Sequence, residues 1–220
     1  MRSSLDRDAL AAYTGRQLAH FFPDDAPQVP DWSLLVGKAL KRVEACFRNI
    51  RQRYYGDEDG EALFNHLNTD QYAAYLYLLS STVFRETGAA ALPAKLYGLN
   101  KALHGLDVFY EVELPEVFAF VHPVGTVVGR ATYGNFFCIY QNCTVGGDLE
   151  GNHPTLGEGV VMFGGSRVIG SASIGANCLV SAGSVVMAEN IPDNSAVFGI
   201  SPHLVRKPTP RNVKTDMFGV

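Results

Sequence analysis

Two histidines stand out in the second half of this 220-residue chain because of where they fall. His122 lies within V-H-P-V-G-T-V-V-G, and His153 within G-G-D-L-E-G-N-H-P-T-L-G. Imidazole is the side chain whose ordinary pKa suits proton transfer near neutral pH, so both are candidate acid–base groups. Taken singly, each could be a surface residue at a corner. Taken together, at the start and at the interruption of one repeating pattern, they mark a site. Other chemistries fit the residues less well. Cys46, Cys138, Cys143 and Cys178 have neither disulfide nor zinc spacing and read as buried thiols. Cys138 and Cys143 follow His122 closely, but nothing in the pattern makes either a nucleophile. The loop Gly146 to Asn152 lacks the lysine of a phosphate cradle and the ligand spacing of a calcium loop. A zinc centre with three histidine ligands would need a third histidine before the C-terminal tail, so no metal is expected.

The pattern that carries the histidines is a six-residue apolar register. Val121, Val127, Tyr133, Ile139 and Val145 hold one frame. Leu156, Met162, Val168, Ile174, Val180 and Val186 hold a second, and the segment between them contains His153. With 47% hydrophobic residues, six apolar hits in one frame arise by chance about 1% of the time. A period of six is neither helical nor a simple strand alternation; it predicts a parallel β-helix of hexapeptides, three to a coil, nearly four coils in all. The fifth positions of the second frame are Val160, Ser166, Ala172, Cys178, Ser184 and Asn190, mostly small. Residues 1 to about 110 instead predict helices. These are Leu5 to Phe22, closed by the Pro23–Pro30 stretch; Trp32 to Tyr55, with Asp31 as its cap; a helix from Thr69 or Asp70 ended by Gly88; and one with Pro93 in its first turn running towards Leu103. The fold class is therefore α+β: a helical domain (1–110), a β-helix (111–197) and a tail (198–220).

Bulk properties narrow the function classes. Eighteen Lys and Arg against 22 Asp and Glu give a net charge of −4, and no segment forms a basic footprint for nucleic acid. The first twenty residues carry Arg2, Asp6, Arg7, Asp8 and Arg16 rather than a secretory apolar core. No apolar run approaches the ~18 residues of a membrane span. A cytoplasmic protein without a membrane partner is expected.

From about residue 105 to 208 the chain resembles the serine acetyltransferases of the hexapeptide-repeat acyltransferase superfamily. The segment His122-Pro-Val-Gly-Thr-Val-Val-Gly129 is similar to that family's H-A-T-G-I-V-V-G, and Gln141-Asn-Cys-Thr-Val-Gly-Gly147 to its Q-x-V-T-L-G-G. His153-Pro154 matches a second H-P. Ser181-Ala-Gly-Ser-Val-Val186 is similar to G-A-G-S-V-V, and Gly199-Ile-Ser-Pro202 to a G-V-P-A turn. The resemblance implies a left-handed β-helix, a homotrimer or a hexamer of paired trimers, and acetyl-CoA as acyl donor. It implies His122 as general base, with Asp107, fifteen residues earlier, orienting its ring. Without the resemblance, Asp107 is equally an ordinary turn aspartate after Gly105. His153 would position the acceptor or share in proton transfer. Gly147, Gly164 and Ala182 would line the pantetheine arm, although corners alone also call for small residues. Arg206 and Lys207 would meet the cofactor's phosphates, or belong to a solvated tail.

Two departures bear on the acceptor. The resembled family carries an aspartate before its first histidine and an arginine before its second; here these are Val121 and Asn152, the latter the candidate acceptor contact. Losing both removes two charge-assisted contacts to a zwitterion, each worth about 1.5–3 kcal/mol. A neutral hydroxyl acceptor, a sugar of a polysaccharide or nucleotide-sugar pathway, is therefore the first expectation. Serine O-acetylation is the alternative, with amino-acid contacts from the helical cap, at Asp70 or Asp57. A trimeric scaffold without activity is the non-enzymatic alternative. The C-terminal Met217-Phe-Gly-Val220 also lacks the terminal isoleucine by which enzymes of the resembled family typically dock onto a partner synthase.

Overall fold

A computed structural model describes residues 1–24, 31–56 and 60–220. Among the described residues, four helices form the N-terminal cap: α1 (Arg7–Phe21), α2 (Trp32–Phe47), α3 (Thr69–Thr87) and α4 (Ala91–His104). Asp6 caps α1 by accepting from the Ala9 N–H at 2.8 Å. Asn68 caps α3 through the N–H groups of Asp70 and Gln71, and Gly88 closes it with φ 66°, in the left-handed region that glycine enters freely. Pro93 lies in the first turn of α4. The expected α2 is too long. It stops at Phe47 rather than Tyr55, because the Arg51 N–H leaves the helix to reach the Met217 carbonyl at 2.9 Å. Asp31 occupies the capping position of α2, but with φ 63° and no side-chain cap bond. Residues 25–30 of the proline stretch, and Asp57, lie outside the described residues.

The register of Leu156, Met162, Val168, Ile174, Val180 and Val186 is the interior of the β-helix, every one of these side chains buried. Three parallel sheets form a triangular prism. Its first face stacks Phe120, Ile139, Met162, Val180 and Val197; its second stacks Val108, Val128, Val145, Val168 and Val186. The third stacks Tyr133, Leu156, Ile174 and Ile191. Burying each such side chain contributes roughly 1.5–3 kcal/mol, so the interior ladder is the main support of the prism. The pairing begins at Asp107–Val108, just ahead of the expected start at 111.

The first frame departs from expectation at its start. Phe120 and Val128, not Val121 and Val127, are the interior residues of the first coil; Val127 is 39% exposed. The turn between those faces is thus longer than a hexapeptide allows, and it is the turn that carries His122.

The cap closes the open end of the prism. Tyr77 of α3 donates to the Val112 carbonyl at 2.7 Å and accepts from the Leu114 N–H at 3.1 Å. The Cys46 thiol donates to the Phe118 carbonyl. At the other end the tail folds back. Val205–Pro208 pairs antiparallel with Ser195–Phe198. The chain then runs along the edge between the third and first faces. There Asn177 binds the Arg211 carbonyl and the Val213 N–H, and Lys214 meets Glu158 at 3.1 Å. Phe218 is buried against Phe136 beside the cap. Among the described residues, no helix is long and apolar enough to cross a membrane.

Candidate active site

His122 sits on the edge between the first and second faces, its side chain 79% exposed and its backbone at φ 49°. A β-carbon raises the energy of that conformation, which Phe136, Asn142, Asn177 and Asn194 also adopt at other corners. The turn is fixed from both sides. Buried Thr126 donates to the Tyr140 carbonyl at 2.7 Å. Gly125, at φ 74°, holds a left-handed conformation that favours glycine, and a Cβ there would lie 2.3 Å from Asn142 Oδ1 and displace that amide.

The carboxylate beside His122 comes from the cap. Asp70, in the first turn of α3, accepts from the His122 N–H at 3.1 Å, and the same oxygen lies 3.7 Å from the ring Nδ1. Because Asn68 already caps α3, the Asp70 side chain is released for this contact. It is 16% exposed, and its Oδ1 has no protein partner among the described residues. Asp107, expected to orient the ring, is engaged elsewhere. Its two oxygens accept from Tyr97 Oη at 2.7 Å and Lys101 Nζ at 2.6 Å.

His153 stands on a different edge, between the second and third faces. Its ring lies so close over Gly147 that a Cβ there would sit 2.8 Å from Nδ1. The loop before it is tied by one residue that sequence reading missed. Asp148 accepts from the N–H groups of Glu150 and Asn152 and from the Asn152 side-chain amide at 2.9 Å. Those bonds hold the Asp148 carboxyl below its usual range. Asn152 is thereby spent inside the loop. Arg130 occupies the same edge one coil earlier, exposed and without an ionic partner among the described residues. A cation after Gly129, in a corner where small residues are the rule, was the signal available for it.

The expected cofactor residues divide between edges. Gly164 and Ala182 lie on the His122 edge, in the second and third coils beyond it, and Gly147 on the His153 edge. The space above Gly164 is filled by the Gln141 side chain, 2.7 Å from where a Cβ would be, whereas Gly183 opens onto free space. Arg206 is paired with Glu189, and Lys207 lies 5.7 Å over the Phe198 ring. Burial pushes the Cys138 thiol pKa well up, which leaves it un-ionised and a poor nucleophile at neutral pH. Among the described residues, no three His, Cys, Asp or Glu side chains converge as metal ligands would.

The arrangement provides a solvent-facing imidazole backed by a carboxylate on one edge, and on the next a histidine and, one coil earlier, an arginine without an ionic partner among the described residues. Val127–Val128 of the second face lies between the two edges.

No family model matches the chain. The serine acetyltransferase of Synechococcus elongatus is 33% identical over 118 residues, 52% of this chain and 48% of that protein. The chain thus matches about half the length of that relative. Among solved structures, the serine acetyltransferase of Vibrio cholerae superposes with a TM-score of 0.71 at 19% identity, over 95% of this chain and 82% of that one. A serine acetyltransferase in complex with CoA gives 0.65 at 19%, over 91% and 84%. In sequence over half its length, and in fold over nearly all of it, the chain is serine acetyltransferase-like, a helical cap on a left-handed β-helix of hexapeptide repeats.

Proposed function

We propose that this protein is an acetyl-CoA-dependent O-acetyltransferase whose acceptor is the hydroxyl of serine. The observation that carries the reading is Asp70 against His122, at 3.1 Å from the backbone N–H and 3.7 Å from Nδ1. A carboxylate at Nδ1 favours the tautomer with the proton there, which leaves the Nε2 lone pair for the acceptor. His122 Nε2 takes the hydroxyl proton as the oxygen attacks the thioester carbonyl. The C–S bond then breaks, and His122 returns the proton to the departing thiolate. The products are an acetyl ester and free thiol, with no covalent enzyme intermediate. Asp70 stabilises the imidazolium formed in between.

The same carboxylate bears on the acceptor. In sequence, Val121 removes the expected anion beside the first histidine, which favours a sugar. Asp70 restores one, and its Oδ1 is open to an ammonium group. Arg130 supplies a cation on the His153 edge in place of Asn152, suited to a carboxylate. The relative's name supports the same acceptor. Asp107 is assigned no part in proton transfer. The donor's phosphates are left to Lys207, because Arg206 is engaged with Glu189.

His122 and His153 stand on different edges, and the tail straps the third edge, so we assign the complete site to two copies. The His122 edge of one meets the His153 edge of the next, a heterologous contact that closes as a trimer. Free, buried cysteines fit a reducing, cytoplasmic setting. Thiol release from acetyl-CoA, followed with serine, simple sugars and nucleotide sugars, tests the acceptor. Serine alone should accelerate it; a sugar that outpaces serine would overturn the assignment.

A further inference from the structure

The cap carries a second polar feature, remote from His122 and unrelated to its chemistry. Between α2 and α3 run two adjoining clefts of about 390 and 300 Å³ that share Lys41, Arg42 and Arg85. The chain as a whole is acidic, so this concentration of positive charge is not compositional. Lys38 at the far end is already neutralised by Glu86, at 2.5 Å. Lys41, Arg42 and Arg85 have no acidic partner among the described residues.

Arg42 is the distinctive member. It is half-buried, and one amino group is anchored by three acceptors of α3: Ser81 Oγ at 2.8 Å, Thr82 Oγ1 at 2.7 Å and the Leu78 carbonyl at 3.1 Å. That leaves Nε and the second amino group, the pair that forms a two-pronged contact with an oxyanion, without a protein partner among the described residues. Burial and the like charge of Arg85 both push its pKa down. A fixed, half-buried guanidinium facing another cation lacks the counter-charge that buried ions normally have. The larger cleft adds an apolar wall of Leu78, Leu114 and Pro115, and one carboxylate, Glu116, which makes no ion pair with Lys41, Arg42 or Arg85 among the described residues.

We propose that this cleft binds a small phosphate monoester, with the phosphoryl oxygens on Arg42, Arg85 and Lys41 and the organic group against the leucine–proline wall. Three cations suit a dianion better than a single carboxylate. The site shares no residue with the proposed active site, so it stands or fails independently of the acetyl transfer.

Calorimetric titration of the full chain with phenyl phosphate, and separately with orthophosphate, at constant ionic strength tests it. One saturable site per chain is expected, tighter for phenyl phosphate. The Lys41→Ala/Arg85→Ala double variant, altered only at exposed side chains, should bind at least about tenfold more weakly while melting as the wild type does. Arg42→Lys keeps the charge and loses the fork, and should weaken binding as well. Equal affinity of wild type and double variant, equal affinity for the two phosphates, or no saturable binding would each overturn the proposal.

Discussion

Replacing Asp70 by Asn removes a charge from beside His122 and little else. The amide can still accept from the His122 N–H at 3.1 Å, so the turn should hold. What is lost is the attraction between the carboxylate and the imidazolium formed during transfer, across 3.7 Å. At that distance two unit charges interact by about 1 kcal/mol in water and about 4.5 kcal/mol at an effective dielectric of 20. The ring is 79% exposed and the carboxylate 16%, which places the pair nearer the aqueous limit but not at it. A loss of about 2 kcal/mol, or roughly 30-fold in kcat, follows. The assay is the initial rate of thiol release from acetyl-CoA at saturating serine, with circular dichroism to confirm the fold. The Michaelis constant for serine should also rise, because Oδ1 faces the ammonium. A variant with wild-type kcat, alongside an inactive His122→Ala, would refute the role of Asp70 in proton transfer. A rise in the Michaelis constant alone would restrict Asp70 to acceptor binding.

Three further outcomes are expected. Arg130→Ala should raise the Michaelis constant for serine by about tenfold or more with kcat retained, the loss of one charge-assisted contact; kinetics with an unchanged Michaelis constant would free Arg130 of that role. Mixing unfolded His122→Ala and His153→Ala chains one to one and refolding them together should restore about a quarter of wild-type activity, because random trimers place both intact histidines at one site in four. No recovery would put the complete site within one chain. Finally, buried His104, bonded to Asn100 at 2.8 Å, is held by burial at a pKa of about 4. The unfolded chain, with a histidine near 6.5, takes up that proton first as pH falls, so this contribution is whole above about 6.5 and is lost towards 4, at most about 3 kcal/mol. Urea denaturation across that range should show the decline in the wild type and a shallower one in His104→Gln; identical slopes would contradict it.

The second half of the β-helix was legible because six interior positions from Leu156 to Val186 repeat without error, and a buried ladder admits only apolar residues. The first coil was not. Its turn departs from six to accommodate His122, so Val121 and Val127 mimicked interior positions that belong to Phe120 and Val128. The departure is itself a mark of the site. Cap helices were legible from Asn68, Gly88 and Pro93, which carry local rules. The early end of α2 was not, since it depends on a contact between Arg51 and Met217 far along the chain. Both histidines were visible as breaks in a pattern. Asp70 is not legible as a partner of His122, because nothing local at residue 70 says that α3 will set its first turn against that histidine. Asp107 shows the converse: a spacing that matched, and a side chain that Tyr97 and Lys101 occupy.

On the proposed mechanism, His122 takes the proton of the serine hydroxyl as the acetyl group leaves the thioester. The most direct test of that role is mass-spectrometric identification of products from acetyl-CoA and serine, with wild type and a folded His122→Ala variant. O-acetylserine and free coenzyme A should form in equal amounts with the wild type, and neither above the enzyme-free background with the variant. Equal yields from the two proteins would contradict it.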